Sequence, residues 1–397
     1  MPRILLVPAI AIPCVISATT TADTITVCAS GCDYTSINAA IASAIDGDVI
    51  QLSAETYAEG VEIDTMQKAV TLLGVLDADG IPASVLDGGN THRVLACRDG
   101  ETNSTVLENL IVQNGRDSKQ GGGGMLVSGA SPTIRNCTFQ FNSILSGVGA
   151  GMVVTAGAPV LTDCIFGANR IDRTSPPTYG GGLAVTGGTV TLQQCDFDGN
   201  IAAAGGGLFV AGGAVVATGC GFDGNVSSTS YSGDFEYGDG GNILNLADLT
   251  LDDCTVTDGT ALCGGGIFHG GTRLIVTDGS IEGNTAQDEG GGVLADTSGA
   301  TLTGCTINGN SPDGISGQVT NGFHQGFEGL LQIEDCSIHG NGDGETFRQL
   351  VGAVVHAGDN HVSRHPPPFG CPSDLNGDGR VDAADLGLLI GAWGFCP

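Results

Sequence analysis

QCDFDGN (194–200), GCGFDGN (219–225) and NCTFQFN (136–142) are three copies of one phrase. It returns as DCIFGAN (163–169), GCTINGN (304–310) and DCSIHGN (335–341), with weaker copies at DCTVTDG (253–259) and DGSIEGN (278–284). Its Cys falls at 137, 164, 195, 220, 254, 305 and 336, and Gly279 replaces it once. A period of about 28 residues is one at which a supersecondary unit stacks on copies of itself. A second phrase interleaves with the first: GGGM (122–125), GAGM (149–152), GGGL (180–183), GGGL (205–208), GGGI (264–267) and GGGV (290–293). Each repeat is one coil with glycine-rich corners and short β-runs, and only stacking buries its apolar side.

Within C-x-F-x-x-N the Cys and the Phe are two apart, so on a strand they face the same side. Thr, Asp, Ser or Gly usually stands between them and suits solvent. Stacked coils then form one internal column of Cys and another of Phe, Ile or Val. The Asn is expected to close the strand in a left-handed turn and to bond the same Asn one coil away. Coils this short, without helical period, predict an all-β fold, a right-handed parallel β-helix. Eight coils at roughly 4.8 Å make a rod about 40 Å long before the N-terminal coils are added.

The paired GG-[AILV] and F-x-x-N phrases resemble the repeats of polymorphic outer-membrane proteins and related bacterial β-helix proteins, over roughly 34–345. The wider superfamily includes pectate lyases. The resemblance implies the fold and leaves the activity open.

The chain has 397 residues, 67 of them Gly, with 13 Lys plus Arg against 43 Asp plus Glu. A net charge of −30 argues against nucleic acid and anionic lipid as partners. A hydrophobic content of 41% in a regular repeat predicts an ordered core rather than disorder. Residues 1–22 have the form of a secretory signal: Arg3, an apolar stretch over 4–15, and a cleavage site at Thr20-Thr21-Ala22. No later stretch is long enough to span a bilayer. The expected protein is exported, secreted or on the cell surface, and monomeric. Its expected parts are the signal (1–22), the β-helix (23–360), a Pro-rich linker (361–370) and a small module (371–397).

Thirteen cysteines remain after cleavage, and an odd number leaves at least one unpaired. Cys28 and Cys32 are close enough to close a small loop, and Cys371 and Cys396 bracket the C-terminal module. The ladder cysteines, near the strand spacing, lie beyond the roughly 3.5–4.5 Å between Cβ atoms of a disulfide and are expected as buried thiols. The states of Cys97 and Cys263 stay open. Residues 37, 41 and 45 are apolar at helical spacing, which predicts an N-terminal helix plugging the end of the rod. That opening also resembles the cap of secreted β-helix proteins.

After the linker, Asp374, Asn376, Asp378, Asp382 and Asp385 occupy positions 1, 3, 5, 9 and 12 of a twelve-residue loop, with Gly379 at 6. With the Arg380 carbonyl this is a seven-coordinate Ca²⁺ set. Asp at position 12 resembles the dockerin loop, and a dockerin implies a cohesin-like or cell-surface partner through 371–397. The chain departs from that family in carrying one unit rather than two. Ala383 and Ala384 also stand where dockerins often place hydroxyls. A calcium-binding tail is what the residues themselves support.

Most corners between F-x-x-N and the glycine triplet are short, but 170–179 and 226–239 are long and two coils apart. They are expected to wall a groove about 10 Å wide. Arg170, Arg173 and Tyr179 lie on one; Tyr231, Asp234, Phe235, Glu236, Tyr237 and Asp239 on the other. Aromatic rings beside carboxylates suit sugar stacking, and Asp234, Glu236 or Asp239 are the candidates for acid–base work on a glycosidic bond. Solvated loops with Tyr lids on the barrel are the alternative. His269 is expected inward beside Asn245, hydrogen-bonded rather than catalytic. Lys68 and Lys119 are the sole lysines, and the Arg pairs of pectate lyases and the Asp trio of polygalacturonases are not found. Two functions stay open: a calcium-binding β-helix that binds glycan or serves as adhesin or scaffold, and a polysaccharide-degrading enzyme on the same frame.

Overall fold

A computed structural model describes residues 22–363 apart from 99, 118, 172–177, 229–237, 298, 318–330, 343–348 and 352–353. Among the described residues the chain winds through parallel sheets of 13, 12, seven and 11 strands. One coil visits all four: Thr189–Gln193 in the first, Asp196–Asp198 in the second, Ile201–Ala202 in the seven-stranded sheet and Leu208–Val210 in the 11-stranded one. The next coil begins at Ala214 directly beneath Thr189. The predicted parallel β-helix is therefore present. At about 4.8 Å per rung it is a longer rod than the eight phrase-bearing coils alone give.

The turn between the first two sheets explains the Cys column. The residue before each Cys takes a positive φ, as at Asp163 (53°) and Asp253 (52°). That corner turns the following Cys inward. Cys137, Cys164, Cys195, Cys220, Cys254, Cys305 and Cys336 are all buried and unpaired. The Cys195 and Cys220 N–H groups each point at the next sulfur, at 3.4 Å. The adjoining column stacks Phe139, Phe166, Phe197 and Phe222 at centroid distances of 4.9, 4.7 and 4.8 Å, the rings nearly parallel. Cys97 and Cys263 are likewise buried and outside any disulfide, and Cys28 is joined to Cys32.

The Asn column carries a correction. The left-handed residue is not the Asn but the one before it: Ala168 (50°), Gly199 (60°), Gly224 (59°). This frees the Asn to turn its amide into the rod, where Asn142, Asn169, Asn200, Asn225, Asn284, Asn310 and Asn341 are fully buried. Each side chain is saturated along the axis. The Asn169 N–H and Nδ2 both donate to Asn200 Oδ1 at 3.0 Å, and Nδ2 also donates to the Phe139 carbonyl at 2.8 Å. At the C-terminal end Asn341 Nδ2 donates to Gln349 Oε1 at 2.7 Å, so a glutamine closes the ladder.

One rung lacks its Asn, because DCTVTDG ends in Gly259. The gap is filled from another corner. Asn242 stands where other coils have the third glycine of the triplet, and its side chain lies in the ladder. Asn225 donates to Asn242 Oδ1 from its N–H (3.2 Å) and its Nδ2 (2.7 Å). Asn242 Nδ2 passes the chain on to Asn284 Oδ1 at 3.0 Å. Elsewhere the two positions are exchanged: a Cβ on Gly207 would come within 3.0 Å of Asn225 Nδ2, and one on Gly259 within 2.5 Å of Asn242 Nδ2. One amide fits per rung, and this rung takes it from the other corner.

At the N-terminus a seven-residue helix, Ile37–Ser43, buries Ile37, Ala40 and Ile41 in the core. It stops short of Ile45, which is 42% exposed rather than part of the apolar face. Its ends are satisfied by the first coil. Glu59 accepts from the Ile37 N–H (2.7 Å) and the Ser36 hydroxyl (2.6 Å), and Lys68 Nζ donates to the carbonyls of Ile41, Ala42 and Ala44 at 2.6–2.8 Å. Carboxylate at the start and ammonium at the end complement the helix dipole. One of the two lysines is thereby committed to structure.

Candidate functional site

Three-residue strands of the 11-stranded sheet, such as Met152–Val154, Leu183–Val185 and Leu208–Val210, are buried on both faces. Their middle residues point outward yet are covered. Leu126, Val153, Ala184, Phe209, Leu244, Phe268 and Leu294 form a second apolar cluster with Ala204 and Cys263, and Val148 and Tyr179 pack against it. The residue just before each glycine triplet supplies the cover, by bridges running Val148, Tyr179, Ala204 and, further on, Asp239 to Cys263. The corner segments thus fold back over the outer face of this sheet.

Of the residues expected to wall a groove, Arg170, Tyr179 and Asp239 are described. Tyr179 lies with its ring centroid 4.8 Å from that of Phe209, a half-buried lid on the apolar cluster. Asp239 is half-buried and sits beside Cys263; burial, and secondarily the Asp239 charge, push that thiol up to about 12. Arg170 is exposed on Arg170–Ile171, in the seven-stranded sheet. The sheet order places Arg170–Ile171, Ile201–Ala202 and Val226–Ser227 on successive rungs, so the two long corners start two rungs apart, about 10 Å. Arg173, Tyr231, Asp234, Phe235, Glu236 and Tyr237 lie outside the described residues. So do the calcium loop (Asp374, Asn376, Asp378, Arg380, Asp382, Asp385), Cys371, Cys396 and residues 1–21.

Arg170 faces a cavity of about 250 Å³ lined also by Asn90, Phe141, Ser143 and Ala168. Phe141 and Asn90 were not singled out from the sequence. A signal was available: in FQFN the residue before Asn is Phe, where FDGN, INGN and IHGN have Gly.

Two other polar clusters make most of their hydrogen bonds within the protein, although Arg98 Nε and His269 Nε2 are buried without a hydrogen-bond partner among the described residues. Arg93 is 8% exposed, pairs with Glu62 at 2.7 Å and Asp117 at 3.3 Å, and donates to the Gly121 and Gly122 carbonyls. Arg98 pairs with Glu62 and Asp64. Burial opposes the Asp117 charge, but the N–H groups of Gly121, Lys119 and Gln120, with Arg93, hold its carboxyl below the usual range. Such a network of ion pairs and hydrogen bonds fixes the first coils. His269 is fully buried and, as expected, bonded to Asn245: Nδ1 lies 3.0 Å from Asn245 Nδ2. That amide also donates to the Arg273 carbonyl, and its oxygen accepts the Ala247 N–H, so the imidazole accepts at Nδ1. Burial pulls its pKa down to about 4. It is a neutral, fully buried core residue.

Among the described residues no cluster of three or more His, Cys, Asp or Glu is arranged to hold a metal, and no helix is long and apolar enough to cross a membrane. No curated protein matches the chain. Among solved structures it is similar to the catalytic unit of a thermostable GH87 alpha-1,3-glucanase from Streptomyces thermodiastaticus strain HF3-3, at 13% identity and a TM-score of 0.28. That likeness covers 81% of this chain and 64% of that one, and says nothing of activity. A family model of the right-handed β-helix region matches residues 89–202 and 182–371. With the stacked parallel sheets of the fold, this match shows that the chain belongs to the right-handed β-helix family.

Proposed function

We propose that this is an exported β-helix protein that binds polysaccharide along the rim of its seven-stranded sheet. One observation carries this: the sheet order sets the corners beginning at Arg170 and Val226 two rungs apart. Those corners hold four aromatic residues, in a chain with 5% aromatic content, together with Arg170 and Arg173. Aromatic faces stack on sugar rings at little cost in desolvation, and the flanking polar groups supply hydrogen bonds. A chain of −30 charge repels polyanions, so an uncharged glycan fits better than a polyuronate. The commitment of Lys68 to the helix end leaves Lys119 as the one remaining lysine for uronate chemistry.

The helix Ile37–Ser43 serves in this proposal as the cap of the rod, supported by its buried face and by Glu59 and Lys68 at its ends. The C-terminal loop at 374–385 binds Ca²⁺, and 371–397 attaches the monomeric protein to a cell surface or a cohesin-like partner. A second function, cleavage of the bound polysaccharide, is favoured by Asp239. It is held beside Cys263 on the same corner as Asp234 and Glu236, where two carboxylates can act as acid and base.

Glycan-array binding together with a reducing-end assay tests both functions. Deletion of 230–239 is expected to abolish binding, and turnover if there is any, while the circular-dichroism spectrum is kept. Undiminished binding after the deletion overturns the placement of the site. Turnover lost in Asp239→Asn with binding kept identifies an enzyme.

A further inference from the structure

The corner before each ladder position, Asn in seven coils and Gly at 115 and 259, requires a positive φ: Asn114, Phe141, Ala168, Gly199, Gly224, Asp258, Gly283, Gly309 and Gly340 all lie between 50° and 65°. Five of these nine are glycine, because a Cβ is disfavoured there. Phe141 is the bulkiest side chain in the set, at φ 53°, and it is 55% exposed. Neither the backbone nor the core gains from an aromatic ring at this place. A strained residue that packing does not require points to a role in binding.

The surroundings of the ring agree. The cavity beside it is about 250 Å³ and is lined by Asn90, Ser143, Ala168 and Arg170. Ser143 is 6% exposed and its side chain lines the same cavity. A hydroxyl on a cavity wall can both donate to and accept from a ligand. Ser143 and Arg170 are register neighbours on adjacent strands. Arg170 already has an interaction within the protein, so it adds hydrogen-bond donors rather than spare charge. Ala168, one rung from Phe141, leaves the floor beside the ring flat.

From these observations we infer that the cavity between Phe141 and Arg170 is a saccharide subsite taking one uncharged pyranose ring. The sugar stacks on Phe141, and its hydroxyls bond Ser143, Asn90 and Arg170. The inference rests on the glycan-binding function proposed above and extends the groove by one rung toward the N-terminus. The volume suits one ring, not a disaccharide.

The test is calorimetric titration of the full chain with cellohexaose, maltohexaose, laminarihexaose and mannohexaose, with trigalacturonate as the anionic control. Phe141→Gly is expected to weaken the best neutral hexaose at least about tenfold, in line with the loss of one aromatic stacking contact. The same variant is expected to keep or raise the thermal midpoint, because φ 53° no longer carries a side chain. Phe141→Trp is expected to keep the affinity. If the wild type binds and Phe141→Gly binds equally well, the subsite is overturned while the groove stands. A lowered midpoint in Phe141→Gly assigns the ring to packing and also overturns the subsite. Trigalacturonate binding more tightly than every neutral sugar overturns the uncharged assignment. Binding of none of these sugars by the wild type overturns the glycan function itself.

Discussion

Replacing Asn242 by Gly and Gly259 by Asn should show that two corners share one amide. Asn242 takes part in four side-chain hydrogen bonds, three of them buried: two accepted from Asn225, one donated to Asn284 at 3.0 Å, and a part-buried one donated to the Thr257 carbonyl at 2.9 Å. At about 1 kcal/mol each, Asn242→Gly costs about 4 kcal/mol, plus about 0.5–1 kcal/mol for the looser backbone. That is a large share of the 5–15 kcal/mol typical of a domain, roughly. Gly259→Asn alone also destabilises, because its Cβ meets Asn242 Nδ2 at 2.5 Å and presses on the Gly265 carbonyl. The double variant recreates the arrangement of Asn200 with Gly182, in which the amide comes from the usual corner. Recovery is partial, since residue 259 must still ease away from Gly265. A coupling of at least about 2 kcal/mol in a urea-denaturation double-mutant cycle is expected. Additivity within about 0.5 kcal/mol would show that the two positions do not share the rung.

His269 gives a pH signature. Its folded pKa, about 4, lies below the unfolded value of 6.5, so the unfolded chain binds the extra proton first. Stability from this group is complete above pH 6.5 and declines as pH falls toward about 4; His269→Gln should flatten that part of the pH profile of the urea midpoint, and an unchanged slope would refute it. At the C-terminus, Ca²⁺ is expected to bind the full chain through Asp374, Asn376, Asp378, the Arg380 carbonyl, Asp382 and Asp385. Asp378→Ala should weaken the calorimetric affinity at least about tenfold, and identical isotherms would remove the site.

Much of this molecule is legible in its sequence because a stacked coil repeats its constraints. Cys, Phe and Asn recur at fixed places since each coil meets the same neighbours, so periodicity alone determines the parallel β-helix and the buried thiol and phenyl columns. The Cys28–Cys32 loop and the inward His269 follow from local spacing and composition. Tertiary structure decided what depends on contacts between different corners. Gly259 and Asn242 are 17 residues apart, and each looks like a lapse in its own phrase. Only the stacking of one coil on the next shows that one side chain replaces the other. On sequence alone Tyr179 suits either a groove wall or a lid on the barrel; its packing on Phe209 makes it a lid, because the outer face of that sheet is apolar and must be covered. Phe141 was hidden for the converse reason. Its phrase shows an ordinary aromatic, and only the positive φ, the exposure and the cavity beside Arg170 set it apart.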